Sequence, residues 1–285
     1  DTASFCLGTM KMKTPKLLGF HAQVPLPLKI IIGLIPILII MAVYSHYGEI
    51  HRFNNPDSML MPSVSDLKES IVEYTMEEES KRKPTPKLWA DTYASMTNLL
   101  IGMGISALIA LGIGLHYGLY RGLDGLMGPI TTVIGFIPPI LAVPIVIATM
   151  GKDDAGKITL IVLGMTFVMA GNLKNAVKEI PKEFLVKTQT LNASSFGVLY
   201  RTYLPLLFPR LIDQLANGVG VAWVMLFTSE FVAASQGLGY RVYIMRRWLD
   251  MSVIVPYMLW IALLSFAMLY CLRKTNEICS PWYGK

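Results

Sequence analysis

Few residues in this chain stand at spacings that support covalent chemistry. The run Gly151-Lys-Asp-Asp-Ala-Gly156-Lys157 comes within one residue of a phosphate-binding loop, G-x-x-x-x-G-K-[ST], whose backbone amides and lysine hold phosphates while a hydroxyl holds magnesium. Ile158 stands where the hydroxyl belongs, Thr159 is one place late, and no strand precedes the run. It reads as a connection between helices. His21, His46, His51 and His116 are isolated from one another, and Cys6, Cys271 and Cys279 have neither metal-ligand spacing nor an even count, so neither a metal centre nor a disulfide framework is indicated. No Ser-His-Asp set and no pair of carboxylates falls inside an apolar segment. The polar residues singled out within apolar stretches are the carboxylate Glu230 and the amides Asn172 and Asn217. An ionisable group in such a stretch is costly and is by default a functional candidate. Its ordinary alternative is a carboxylate near the outer mouth, hydrated or hydrogen-bonded. The amides can glue helices together or line a polar path.

The elements that carry these residues are apolar and long. Of 285 residues, 53% are hydrophobic and 15% charged, against about 25% charged in soluble domains. The mean hydropathy is +0.50. Six stretches approach or exceed the ~20 residues that cross ~30 Å of hydrocarbon as a helix: 28–44, 92–119, 129–150, 158–177, 206–234 and 253–272. The first follows a basic leader with Lys11, Lys13 and Lys16, has no small-residue cleavage site, and is too long for a signal-peptide core. It is read as a retained span. The expected division is a cytoplasmic segment over 1–27, a first span over 28–45, an external polar segment over 46–90, an all-helical transmembrane core over 91–275 and a cytoplasmic tail over 276–285. The basic connection between spans four and five (Lys174, Lys178, Lys182, Lys187, Arg201, Arg210) and the tail (Arg273, Lys274, Lys285) place those ends inside with the N-terminus. Arg241, Arg246 and Arg247 then fall outside, against the trend, and are candidates for an external mouth. The net charge of +6 follows from residues flanking apolar segments, which argues against nucleic acid as a partner.

Two spans carry packing or path signals. In the second, Gly102, Ser106, Ala110, Gly114 and Gly118 recur every fourth position, a strip that lets two helix backbones approach closely in lipid. In the third, Pro138, Pro139 and Pro144 each remove a backbone donor and crowd the preceding turn. A packed kink would account for any one of them. The cluster favours a broken helix lining a path, because freed carbonyls at membrane depth are tolerated only against protein or a water-filled cavity.

The connection between spans four and five reads as two short helices joined at Asn192, a residue that tolerates left-handed backbone geometry. Ser194 is a candidate N-cap for the second. Phe184 and Leu191 share a face of the first helix. Phe196, Leu199, Tyr200 and Tyr203 fall at i, i+3, i+4 and i+7 of the second. An amphipathic pair outside the bilayer lies on the membrane surface or fills a partner's groove. The residues alone leave both open.

This segment resembles the coupling loop of permeases in ATP-binding-cassette importers, whose pattern is Glu-Ala-Ala, three residues, Gly, nine residues, a hydrophobic residue, any residue, Leu-Pro. Asn192 stands at the Gly position, Thr202 at the hydrophobic one, and Leu204-Pro205 closes the pattern. Ile137-Pro-Pro, Val221-Ala-Trp leading to Ser229-Glu230, and Gly237-Leu-Gly-Tyr extend the likeness to the nitrate/sulfonate/taurine/bicarbonate permease family across roughly residues 90–282. Val186, Lys187 and Thr188 occupy the Glu-Ala-Ala positions, so the acidic residue of the motif is missing. The resemblance implies a type I importer permease fold in the bacterial inner membrane. It implies a homodimer with a path near its axis, two ATPase subunits that bind ATP and magnesium, a substrate-binding protein outside, and no cofactor or hydrolytic chemistry on this chain. The coupling loop would present Phe184, Leu185, Leu191, Asn192, Ala193, Phe196, Leu199, Tyr200, Leu204 and Pro205 to the ATPase. The path candidates are Pro138, Pro139, Asn172, Asn217 and Glu230, and the expected cargo is a small anion such as nitrate, bicarbonate or a sulfonate. The competing reading is an ion-coupled secondary carrier with Glu230 as its ion site; the absence of a visible paired repeat counts against it. An intramembrane enzyme lacks any catalytic constellation.

Overall fold

The structure, a computed structural model, describes residues 62–76, 78–80, 83–190, 192, 194–233 and 235–283, with parts of 35–50. The chain divides into two units, Asp1–Val64 and Ser65–Lys285. In the first, residues 42–44 and 46–50 are helical; most of the expected first span lies outside the described residues. The second unit holds α1 (Val64–Met76), a small antiparallel hairpin of β1 (Glu78–Ser80) and β2 (Lys83–Pro86), then α2 (Lys87–Leu119), α3 (Arg121–Phe136), a 3-10 turn (Pro139–Ala142), α4 (Val143–Met150) and α5 (Asp154–Glu179). After these come α6 (Lys182–Thr190), a turn (Ser195–Gly197) running into a π-helical stretch (Val198–Tyr203), α7 (Leu204–Ala233), α8 (Leu238–Trp248) and α9 (Met251–Cys279).

Among the described residues, four helices are long and apolar enough to cross a membrane: Lys87–Leu119, Asp154–Glu179, Val198–Val232 and Met251–Cys279. The third expected crossing differs in kind. It starts earlier, at Arg121, and α3 and the Pro139–Met150 segment meet at an 85° bend. Pro138 and Pro139 cause the break. Pro139 lacks the N–H that would donate to Gly135, and each ring would crowd the carbonyl four residues back, so the helix stops at Phe136.

The frame of the bundle is the contact between α2 and α5. The four-residue strip expected from the sequence faces α5: a Cβ at Gly102 would sit 2.8 Å from Ile161 Cβ, at Gly114 2.8 Å from Leu173 Cβ, and at Gly118 2.8 Å from Val177 Cβ. Here glycine is a matter of space rather than backbone freedom; the helices touch where a side chain would stand. Leu99, Met103, Ala110, Ile161, Leu173, Trp223 and Leu226 fill the core behind this seam. Asp124 of α3 holds Lys174 (3.2 Å) and Lys178 (2.6 Å) of α5, fixing α3 beside it at the end where α5 leads into α6.

The opposite end is closed by a buried polar network. Asp91 receives Nε of Arg241 at 2.9 Å, the hydroxyl of Tyr257 at 3.2 Å and the amide of Gly237 at 3.2 Å. Ser95 donates to Glu230 at 2.6 Å and accepts from the amide of Leu238 at 2.8 Å, while the second Glu230 oxygen accepts from the amide of Gly239 at 2.7 Å. Gly237 has φ +129°, a conformation open chiefly to glycine, and a Cβ there would collide with the Glu230 carboxyl. The segment entering α8 is thus tied to α2, α7 and α9 by two carboxylates. Nearby, the Gly151–Lys157 run starts α5, with Lys157 folded back on Asp154 at 2.8 Å and Asn98 donating to the same oxygen at 2.9 Å.

Two outcomes test this frame. Gly114→Val should lower thermal stability in detergent by about 1–3 kcal/mol through overpacking, while Gly112→Val, which meets nothing within 4 Å, should change it little. Asp91→Ala should cost about 3–5 kcal/mol by removing the buried carboxylate that Arg241, Tyr257 and the Gly237 amide share, and Asp91→Asn, which keeps an acceptor there, should cost less.

Candidate functional site

The connection after α5 forms much as its residues require. Pro181 starts α6, Asn192 has φ +54°, the left-handed conformation expected at the joint, and Ser194 Oγ accepts from the amide of Gly197 at 3.2 Å. The second helix does not continue as an ordinary α-helix. Pro205 and Pro209 have no N–H to return to the preceding turn, and the backbone widens, with the Leu204 amide bonding to Leu199 O five residues back. Widening changes the phase of the side chains and splits the face read from the sequence. Leu199 and Tyr203, each 4% exposed, pack with Leu115, Val177 and Leu207 of the bundle, so Leu199 is not an anchor available to another chain. Phe196 (70% exposed) and Tyr200 (38%) stack on each other with ring centroids 4.3 Å apart and stand clear, with His116 beside Tyr200. Phe184 and Val186 are exposed on α6. Leu204 is half-buried against that same cluster at the start of α7. Leu191 and Ala193 lie outside the described residues, as does the side chain of Leu185.

From this end a polar groove runs along α5 and α7. Asn172 and Asn217 both line it, and Asn172 donates to Gln214 at 2.7 Å. The sequence reading missed Gln214 and Asn175, although Asn172/Asn175 and Gln214/Asn217 are each three apart and hence on one helix face. A cavity of about 530 Å³ lies at the connection end, lined by the four amides with Glu179, Arg210, Asp213 and Tyr283. Arg210 pairs with Glu179, and Asn276 of α9 donates to Asp213 at 2.8 Å and to the Pro209 carbonyl at 3.1 Å. Burial, followed by the Asp213 carboxylate it hydrogen-bonds, pushes the Tyr283 phenol up, so it remains a donor at neutral pH. The groove continues over a second cavity of about 410 Å³ lined by Thr131, Thr132 and Gly135 of α3. Pro139 lies against α5 near Gly164 at the bend.

Glu230 is not part of this groove; both its oxygens are engaged in the network at the far end. Arg241 is held there by Asp91, whereas Arg246 and Arg247 stand exposed at the end of α8, Arg247 over the ring of Tyr243. The three arginines therefore do not form one cluster.

Known proteins with this arrangement are transport components. The taurine transport system permease protein TauC of Escherichia coli (strain K12) is 28% identical over 198 residues, covering 70% of this chain and 72% of that one. The bicarbonate transport system permease protein CmpB of Synechococcus elongatus is 25% identical over 157 residues, covering 55% and 56%. The nitrate import permease protein NrtB of Synechocystis sp. is 20% identical over 151 residues, covering 53% and 55%. A solved structure of the MetNI methionine ABC transporter in an inward-facing conformation superposes with a TM-score of 0.57 at 16% identity, covering 66% of this chain and 94% of that one, a likeness that shows the type I importer permease fold. The family model for binding-protein-dependent transport system inner membrane components matches residues 102–282, which hold most of the helical bundle, the two-helix connection and the four amides of the groove, and the chain belongs to this family of membrane permeases.

Proposed function

We propose that this permease pairs with a second copy of itself, imports a small acidic solute along the Asn172–Asn175–Gln214–Asn217 groove, and is driven by two ATPase subunits docked on the 182–203 connection. The groove carries the reading. Four carboxamides on the open face of spanning helices cannot face hydrocarbon without losing hydrogen bonds, so they call for a wet cavity or a second protein surface. The groove opens beside Glu179 and Arg210, close in sequence to Pro181 and Pro205 that bound the connection. Movement of the connection thus acts directly on the groove's mouth. ATP and magnesium belong to the ATPase subunits, a substrate-binding protein delivers the solute at the opposite end, and that end faces outward. The names of the relatives, taurine, bicarbonate and nitrate, favour an acidic cargo. The engagement of both Glu230 oxygens weighs against an ion-coupled carrier with that residue as its ion ligand.

Phe196→Ala combined with Tyr200→Ala should weaken ATPase association by about 2 kcal/mol, roughly thirtyfold, as read by co-purification and by uptake in membrane vesicles. Unchanged yield and uptake would remove the connection as the docking element. Asn172→Leu with Asn217→Leu should abolish uptake while leaving the ATPase bound, and uptake that collapses with the ion gradient but persists without ATP would restore the carrier reading. For orientation, a cysteine at Asp153 should react with an impermeant reagent from outside, and one at Asn192 only after permeabilisation.

A further inference from the structure

A slot of about 350 Å³ lies away from the groove, at the end of the bundle opposite the 182–203 connection. Its walls come from α1 (Ile71, Tyr74), the start of α2 (Leu88, Trp89) and α9 (Trp260, Leu263), and they are almost wholly apolar. Transport along the amide groove does not use it. We infer that this slot holds one acyl chain of an anionic glycerophospholipid, with Lys87 at its mouth taking the phosphate.

Three observations fix the chemistry of the occupant. First, Trp89 and Trp260 meet edge to face with ring centroids 5.5 Å apart, and Trp260 Nε1 donates to Thr92 at 2.9 Å. Tyr93 stands exposed beside them. Tryptophan and tyrosine gather where hydrocarbon meets headgroups, so the slot straddles that level rather than lying in water. On α9, Leu259 and Leu263 of its wall are partly open to the outside and Phe266 lies exposed one turn further, giving the slot an apolar exit along that side of the helix. Second, Lys87 Nζ lies 5.0 Å from the centroid of the Tyr74 ring that forms the wall, a cation at the headgroup end of an apolar slot. Basic residues at that level recognise anionic headgroups. Burial pushes the Tyr74 phenol up, so the wall beneath the cation stays uncharged at neutral pH. Third, Thr75 also lines the slot, and its buried hydroxyl has no hydrogen-bond partner among the described residues. An ester carbonyl at the junction of headgroup and chain would accept from it. A ligand with an acyl tail, an ester acceptor and an anionic head matches all three; a wholly apolar or a water-soluble ligand matches one at most.

The test uses the full chain purified in a mild detergent. Phosphatidylglycerol and phosphatidylethanolamine retained per chain are measured by mass spectrometry, and the thermal shift on adding phosphatidylglycerol is recorded. The wild type should retain phosphatidylglycerol and melt higher when it is supplied. Leu263→Trp, which fills the slot, should lose at least half of the retained phospholipid and most of the shift, whereas Phe266→Trp, outside the slot, should keep both. Lys87→Gln demands no repacking. It should keep the phospholipid but lose the preference for phosphatidylglycerol over phosphatidylethanolamine severalfold. A wild type that retains detergent only, a Leu263→Trp variant that matches the wild type in retention and shift, or a Lys87→Gln variant that keeps the wild-type preference for phosphatidylglycerol would overturn the assignment.

Discussion

Everything in this permease follows from one constraint: inside a bilayer no water is present to satisfy a polar group, so each must find a partner in protein or stand in a cavity. The chain meets the constraint in two opposite ways. At one end Asp91 and Glu230 are nearly sealed from solvent, and their oxygens accept from Arg241, Tyr257, Ser95 and backbone amides of residues 237 and 239. Along α5 and α7 the amides of Asn172, Asn175, Gln214 and Asn217 are left on an open face, where only one hydrogen bond among them, Asn172 to Gln214, is made within the chain. A buried network with its hydrogen bonds made fixes geometry, and an open row of amides accommodates something that passes. The same constraint therefore separates a sealed brace from an open polar face.

Close packing lets that separation persist. With no gain from leaving water, helices in lipid hold together through contact and hydrogen bonds, and the Gly102–Gly114–Gly118 strip puts α2 against α5 at distances no side chain would permit. The seam is continuous from the level of Ile161 to that of Val177, so α5 stays registered along its length. Against this frame, α3 is fastened only lightly: Thr131 is its one buried residue, and Asp124 clasps Lys174 and Lys178 at its start. The bend at Pro138–Pro139 completes the contrast. Helix α3 lies along the groove, is weakly packed, and ends at a break closed by the Ile137 amide bonding to Ile134 O at 3.1 Å.

How much of this could be read in advance depends on how local each cause is. The positions of four spans, the glycine strip, the turn at Asn192 and the cap at Ser194 were legible, because each is fixed by residues within a few positions of one another. The pairing of Asn172 with Gln214 was only half legible; 3.6-residue periodicity places Asn175 and Asn217 on the right faces, but nothing local states that the two faces meet. The network at the far end was illegible for a plainer reason. Asp91 and Glu230 are 139 positions apart, and the intervening partners include backbone amides that a sequence does not distinguish from any others. Glu230 therefore read equally as a functional intramembrane charge or as a hydrogen-bonded carboxylate near the mouth, and its contacts are those of the second. Arg241 read as a free external cation for the same reason. Most of the first expected span lies outside the described residues.

The π-helical stretch joins these themes. Read with a period of 3.6, Phe196, Leu199, Tyr200 and Tyr203 form a single apolar face that could dock as a unit. The prolines at 205 and 209 break that period, and the same four residues divide into a pair sunk in the bundle and a pair held out from it. That division is mechanically useful. A docking element whose whole apolar face went to another chain would have nothing left to pull on its own helices, and one wholly packed inward could not be gripped. Here Leu199 and Tyr203 pack with Leu115 of α2 and Val177 of α5, while Phe196 and Tyr200, on the same short stretch of backbone, stand exposed. Force applied at the exposed rings would reach the α2–α5 frame through contacts already made, without any rearrangement of the loop itself.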